Sequence, residues 1–262
     1  MLDRCVHRFQ GFVDRFLTGD ATDDARVNLK REHSLKVLGE ARMLTRTLDV
    51  DPGLAGLIHL AALFHDTGRF PQYAAFKTFR DAQSVDHGRL GVATLHRENL
   101  LADLPRASRA LICGAIVMHN RFALPAAVAA RPESPLTLAA HVVRDADKLD
   151  ILRVMVEHFE AGGGGDEVVT MALPDRPHDY SPALVAPLFG GRVARYTDMT
   201  CQNDMRLLLI SWVYGVRFAA TRDEAFARGL IGRLFAGLPR TREIETARDH
   251  VFRNASGGKH DA

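Results

Sequence analysis

Leu63-Phe64-His65-Asp66-Thr67-Gly68-Arg69-Phe70 is the stretch on which the fold of this chain turns. It closes an apolar segment in which Leu54, Leu57, Ile58, Ala61 and Phe64 recur at the 3.6-residue period of a helix. Pro52 fits the first turn of that helix, which starts after Asp51. Gly68 reads as its terminator. Two adjacent ligand-type side chains at such an end can reach one centre, because the chain turns there. His178-Asp179 and His260-Asp261 repeat the dipeptide with no apolar helix behind them, so they carry no such reading.

Working outward, other polar residues fall on apolar helix faces. His33 shares a stripe with Leu29 and Val37, and His119 shares one with Ile112, Ala115 and Ile116. His87 lies with Leu90, Gly91, Thr94 and Leu95, and Asp147 with Val143, Ile151 and Val154. A buried imidazole or carboxylate is costly unless it is paired or bound to a metal. One inward histidine alone is usually a satisfied structural residue. His33, His65, Asp66, His87, His119 and Asp147 together are explained at once by a shared metal centre. Asp145 and Asp150 compete with Asp147 for the last place. A metal-bound histidine needs a partner for its other ring nitrogen, and Glu32 beside His33 and Asp86 beside His87 are candidates. No nucleophile elbow supports a Ser-His-Asp alternative.

The order His, His-Asp, His, His, Asp on a helical background resembles the HD-domain superfamily of metal-dependent phosphohydrolases. The resemblance spans roughly residues 25–160 and is specific in the ordering, in His65-Asp66-Thr67-Gly68-Arg69 and in Asp145-Ala146-Asp147-Lys148-Leu149-Asp150. The phrases around His33 and Asp147 are similar to an uncharacterised bacterial branch of it, which also shares Asn203-Asp204 and the segment 209–214. The resemblance implies a first metal on His33, His65, Asp66 and Asp147. It implies a second on His87 and His119, with Asp66 bridging the two. Arg69 stands where related phosphodiesterases carry a phosphate-binding lysine, which implies a catalytic phosphate contact there. Arg31, Lys148 and Asn120 neighbour ligands in sequence and are candidate substrate contacts, as are Lys30, Arg89 and Arg144. A GYP signature does not follow the core, so a cyclic-di-GMP assignment is not supported.

The expected fold is all-α: an HD-domain helical bundle with additional C-terminal helices packed on the core. Helices are expected near residues 3–18, 23–48, 52–66, 84–99, 106–119, 135–159, 198–218, 221–236 and 240–254. Ser84 is the expected cap of the fourth, and 167–171 is the one strand-like run. The core is placed at 20–160. A Gly/Pro-rich connection and C-terminal helical extension follow at 161–262, because the run 207–216 is too apolar to stay exposed. The four glycines at 162–165 and the Pro-rich stretch 174–187 read as an exposed connection or a flap over a pocket. The tail 254–262 is polar.

Composition narrows the function. Lys and Arg total 34 against 32 Asp and Glu, a net of +2 that argues against dedicated nucleic-acid binding. Cys5, Cys113 and Cys201 lie far apart, which indicates neither a disulfide framework nor a zinc ribbon and fits the reducing cytoplasm. The run 207–216 is too short to span a bilayer, and residues 1–8 lack a signal peptide's apolar core, so no membrane association is expected. The expected activity is therefore hydrolysis of a phosphomonoester or phosphodiester, a nucleotide or related metabolite, by a metal-bound hydroxide at a mono- or dinuclear site. The ions expected are divalent, two in number, and drawn from Mn, Fe, Co or Mg. Two rivals stand beside it. The same ligand order occurs in di-iron oxygenases such as myo-inositol oxygenase, and a non-catalytic nucleotide-binding regulatory module would keep the site as a structural element.

Overall fold

Residues 1–162 and 168–255 are described by a computed structural model. Residues 163–167, which include Gly163, Gly164, Gly165 and Glu167, and the segment 256–262, with His260-Asp261, lie outside the described residues. Among the described residues every regular element is helical, and Val168 to Met171 form turns rather than a strand. The fold is all-α.

The chain divides into two compact units, Met1–Asp150 and Ile151–Ala262. The first holds α1 (Leu2–Asp14), α2 (Ala21–Thr47), α3 (Pro52–Phe64), α4 (Arg69–Phe76), α5 (His87–Arg97), α6 (Arg106–His119) and the short α7 (Ala126–Ala129). It also takes the N-terminal part of α8 (Pro135–Glu160). Local chemistry starts these helices where they start. Asp20 caps α2 by accepting from the Thr22 and Asp23 amides, and Asp51 caps α3 by accepting from Gly53 and Leu54. Asp86, not Ser84, caps α5 by accepting from the Arg89 amide. Ser84 instead donates to the Arg80 carbonyl.

Helix α3 is the centre of this unit. Ile58, Leu60, Ala61, Ala62, Leu63 and Phe64 are all buried, so it is apolar on every side. It packs between α2 and α6, with α1 on a further side. Phe9 of α1 meets Phe64 and Phe70 edge-on, with ring centroids 6.0 and 5.9 Å apart, and Phe12 meets Phe70 at 5.9 Å. Phe64 and Phe70 bracket the His65–Arg69 turn, so α1 holds that turn from behind.

Gly68 does not terminate α3. Its φ of −69° is helical, and it stands at the N-cap of α4, a helix the sequence reading did not contain. The chain leaves α3 at Phe64, makes one tight turn and resumes helix at Arg69.

The second unit contains α9 (Pro182–Phe189), α10 (Gln202–Ser211), α11 (Ala219–Ala227), α12 (Leu230–Ala236) and α13 (Arg242–Ala255). The expected helix at 221–236 is two helices, split at Gly229, whose φ of +69° is left-handed. Helix α10 is almost wholly buried, and α9 and α12 pack on it while α13 packs on α9. Residues 207–213 of the apolar run are thus buried inside this unit, while Gly215 is exposed.

The Pro-rich stretch is exposed over 174–179, as a connection would be, and its backbone is fixed. Residues 173–181 are tied to the first turn of α10. Asn203 donates to the Arg176 and Asp179 carbonyls at 3.0 and 2.9 Å, and Gln202 donates to Leu173 at 3.2 Å. Asp204 accepts from the Ser181 amide at 2.6 Å and from the amide and hydroxyl of Thr200 at 2.8 Å each. From Pro182 the same stretch becomes α9. Pro sits at its first turn, where the missing N–H costs nothing. Buried Asn and Asp side chains therefore do here what an apolar face does elsewhere.

Asp204→Ala removes the acceptor of three donors. A buried donor left unpaired costs about 1–3 kcal/mol. We expect the variant to lose on the order of 3 kcal/mol in urea denaturation and to be cleaved faster by protease within 173–181. Unchanged stability and cleavage would show that these bonds are incidental.

Candidate metal centre

The two imidazoles at helix ends are held by their own helices. His65 directs Nδ1 to the Ala62 carbonyl at 2.7 Å, and His119 directs Nδ1 to the Ile116 carbonyl at 2.6 Å. Carbonyls in a last helical turn have no intrahelical donor, so they are available for this. The other two imidazoles are held by carboxylates from distant elements. His33 on α2 has Nδ1 at 2.7 Å from Asp150 on α8, and His87 at the start of α5 has Nδ1 at 2.7 Å from Asp81. Every Nδ1 faces an acceptor and so carries the proton. Every Nε2 then presents a bare lone pair inward.

These nitrogens converge in pairs. His33 Nε2 and His65 Nε2 are 3.2 Å apart, and His87 Nε2 and His119 Nε2 are 3.0 Å apart. Asp66 lies between the pairs and offers one oxygen to each. Its Oδ2 is 3.7 Å from both His33 and His65, while its Oδ1 is 3.4 Å from His87 and 3.7 Å from His119. Asp147 closes the first pair, with Oδ1 3.0 Å from His33 and 3.5 Å from His65. The ligand atoms fall into three mutually close sets: His33, His65 and Asp66; His65, His119 and Asp147; and Asp66, His87 and His119.

The residues fit divalent metal ions. Lone pairs facing each other at 3.0–3.2 Å, with buried carboxylates against them, repel unless a cation lies among them. Mixed imidazole and carboxylate donors suit Mn, Fe, Co and Zn and do not select sharply among them. Electrostatics prepare the ligating forms. Burial would raise the pKa of Asp66, but Lys30 and the histidines outweigh it and hold the carboxyl well below its usual range. Asp147 is held low in the same way by His33 and His65, against burial. Burial, with the charge of Arg69 next, pushes His87 down to about 4, which keeps it neutral. His33 is the exception: burial and then Lys30 lower its pKa, but its bonds to Asp147 and Asp150 outweigh both and raise it, so a cation must displace the proton that Asp147 draws to its Nε2.

The three aspartates that compete for the last place differ in position. Asp147 faces the histidines, Asp150 stands behind His33, and Asp145 is buried outside the ligand sets. The partners expected for the ring nitrogens were the wrong ones. Asp86 caps α5 and takes no part in holding the imidazole, and Asp150 rather than Glu32 backs His33. Asp150 comes from a residue far along the chain, so no local signal points to it.

The expected substrate contacts fare unevenly. Arg31 is not at the cluster. It pairs with Asp14 of α1 at 2.5 Å, since one residue along a helix rotates it about 100° from Lys30. Lys30 is the basic residue at the site, with Nζ 2.8 Å from Asp66 Oδ2. Arg69 is not a free two-pronged clamp. Its Nη1 donates to Gln72 at 2.9 Å, to the Phe79 carbonyl at 2.5 Å and to Asp81 at 2.9 Å. Asn120 donates to Asp81 at 3.3 Å and Asp86 at 3.2 Å, behind His87. Lys148 follows Asp147 and is largely covered, and burial followed by the charge of Arg144 depresses its pKa. Arg144 is engaged elsewhere, donating to the Met118, His119 and Phe122 carbonyls and to that of Arg121 at the end of α6. His59 bonds Thr45 at 2.8 Å and is no ligand.

The HD domain family model matches residues 31–152, a span that opens just before His33 and closes just after Asp150. Residues 31–152 are an HD domain. HD domains are in general those of metal-dependent phosphohydrolases. No curated protein and no solved structure matches the chain.

In this HD domain the glycine after the His-Asp pair serves closeness rather than conformation. A Cβ on Gly68 would lie 2.1 Å from the His87 carbonyl oxygen and 2.6 Å from the Gly91 amide nitrogen. A Cβ on Gly91 would lie 3.2 Å from the Gly68 nitrogen. The two glycines let the first turn of α5 rest directly on the His-Asp turn, which is what brings His87 to Asp66. Both obstacles at Gly68 are backbone, so neither can swing aside. Gly68→Ala should cost about 3 kcal/mol or more, the upper range of overpacking, and should lower bound metal in the protein that still folds. Thermal denaturation and elemental analysis check this, and a variant of wild-type stability and metal content would refute it.

Proposed function

We propose that the chain is a metal-dependent phosphohydrolase acting on a phosphomonoester or phosphodiester of a nucleotide or related metabolite. The observation that carries this is Asp66, whose two oxygens face two separate histidine pairs. That arrangement supports two ion positions. His33, His65, Asp66 and Asp147 would hold one, and Asp66, His87 and His119 the other. Divalent ions there would lower the pKa of water and polarise a phosphoryl oxygen.

The chain's own residues supply the rest. Lys30 sets a positive charge against Asp66 Oδ2, at the edge of the first position, where an anionic group can share it. Lys148 has no hydrogen-bond or ion-pair acceptor among the described residues. A phosphate oxygen beside it would favour its charged form against burial. Asp150 and the Ala62 and Ile116 carbonyls lock three rings in the tautomer that ligates, and Asp81 locks the fourth. His65 and Asp66 are buried, which strengthens their electrostatic interactions with a bound cation.

Purified protein loaded in turn with Mn²⁺, Fe²⁺, Co²⁺ and Mg²⁺ should release phosphate or a nucleoside product from a panel of nucleotides and aryl phosphates. Lys30→Gln and Lys148→Gln should raise KM with bound metal unchanged. His87→Ala or His119→Ala should cut bound metal from two ions to about one, and Asp66→Ala should lose both. Absence of turnover with every ion overturns the reading. Oxygen uptake by the iron-loaded protein without phosphate release would move it to the di-iron oxygenases.

A further inference from the structure

The two histidine pairs are alike in geometry and unlike in what holds them. Each has one imidazole backed by a carbonyl of its own helix and one backed by a carboxylate. The carboxylate behind His33 is Asp150, on the long helix α8, and it is buried. The carboxylate behind His87 is Asp81, in the single 3-10 turn Asp81–Gln83 that joins α4 to α5. Its side chain is 33% exposed. No long helix orients it.

Asp81 is oriented by other side chains. Arg69 Nη1 reaches its Oδ1 at 2.9 Å, Gln72 Nε2 reaches the same oxygen at 3.0 Å, and Asn120 Nδ2 reaches Oδ2 at 3.3 Å. Arg69 holds the joining segment at a second point through the Phe79 carbonyl. Gln72 is fully buried and bonds Ser84 and the Val85 carbonyl as well, while its own oxygen accepts from Arg69. These donors leave Asp81 with its oxygens aimed at His87 Nδ1, at 2.9 and 2.7 Å.

We infer that Asp81 is the positioning residue of the His87–His119 ion, and that Arg69 acts through it. Arg69 fixes Asp81, Asp81 fixes His87, and the segment 77–86 thereby sets how tightly that position, and not the other, holds its ion. The inference rests on the two-ion reading above. It replaces the role of phosphate clamp for Arg69 with one exerted on a metal ligand. It also makes the second ion the exchangeable one, because a short joining segment deforms more readily than α8.

The test is a titration of metal-free full-length protein with Mn²⁺ by calorimetry, with stoichiometry confirmed by elemental analysis. The variants are Asp81→Asn, Arg69→Gln, the double variant and Asp150→Asn. Losing the partner of a ligating histidine typically weakens metal binding about 10–100-fold. Asp81→Asn should therefore weaken one of two ions by that factor and leave the other at wild-type affinity. Arg69→Gln should weaken the same ion by less. The double variant should be no weaker than Asp81→Asn alone, since the two residues act in series. Asp150→Asn should weaken the opposite ion. Two ions bound by Asp81→Asn at wild-type affinity would overturn the inference. So would equal loss of both ions with a lowered melting temperature, which is what a merely structural role predicts. Additive losses in the double variant would separate Arg69 from the relay. Arg69 Nε also lies 3.5 Å from Asp66 Oδ1, so if Asp81→Asn does not fold, Asp81→Glu decides by the same selective weakening. A wild-type protein that binds a single ion overturns the two-ion reading itself, which the titration shows before any variant is made.

Discussion

Six groups that all accept and none that donates meet around Asp66, and the rest of the first unit is built to hold them there. Four imidazole nitrogens with inward lone pairs and two carboxylates cannot be brought together in a dry interior without positive charge. Lys30 lies 2.8 Å from Asp66 Oδ2, and Arg69 lies 3.5 Å from its other oxygen. The demand of the remaining acceptors for charge is what makes the cluster a candidate metal centre. It also explains why each ring is tied on its far side. A ring free to turn would move its lone pair away from its neighbours and relieve the repulsion without any ion.

The scaffold meets that demand with apolar packing close to the chemistry. Helix α3 is apolar on all sides and delivers His65 and Asp66 at its end, where backbone carbonyls are unpaired and the chain is free to turn. Phe64 and Phe70 stand immediately before and after the turn and take the aromatic face of α1. Gly68 and Gly91 then admit α5 at backbone contact. Hydrophobic burial, a tight turn and two missing side chains thus act in sequence to place one imidazole.

The second unit solves a different problem by different means. Its Pro-rich entry cannot bury a periodic apolar face, so Asn203 and Asp204 at the start of α10 bind its backbone directly. Polar side chains with fixed partners give the stretch 173–181 a defined course although residues 174–179 stay exposed. The cost of burying Asn and Asp is met because the segment 173–181 and Thr200 supply their carbonyl, amide and hydroxyl partners.

The amino-acid sequence by itself determined the helical class, and it singled out the histidines and aspartates that the fold brings together as candidate ligands, two of the histidines at helix ends. Periodicity is a local property, and polar residues on an apolar stripe can be counted without knowing what lies opposite. It did not determine what stands behind the ligands. Asp150 and Asp81 were legible as residues but not as partners, because hydrogen bonds between elements depend on how helices cross, and the nearest acidic neighbours in sequence, Glu32 and Asp86, do not back the rings. Lys30 and Arg31 are adjacent and equally basic, and only the 100° step around α2 sends one to Asp66 and the other to Asp14. Arg69 reads as a free phosphate clamp until Gln72, Phe79 and Asp81 are seen around it. Gly68 reads as a helix terminator until the backbone of α5 is seen against it. In each case the deciding contact is made by atoms from another element, and that information exists only once the chain has packed.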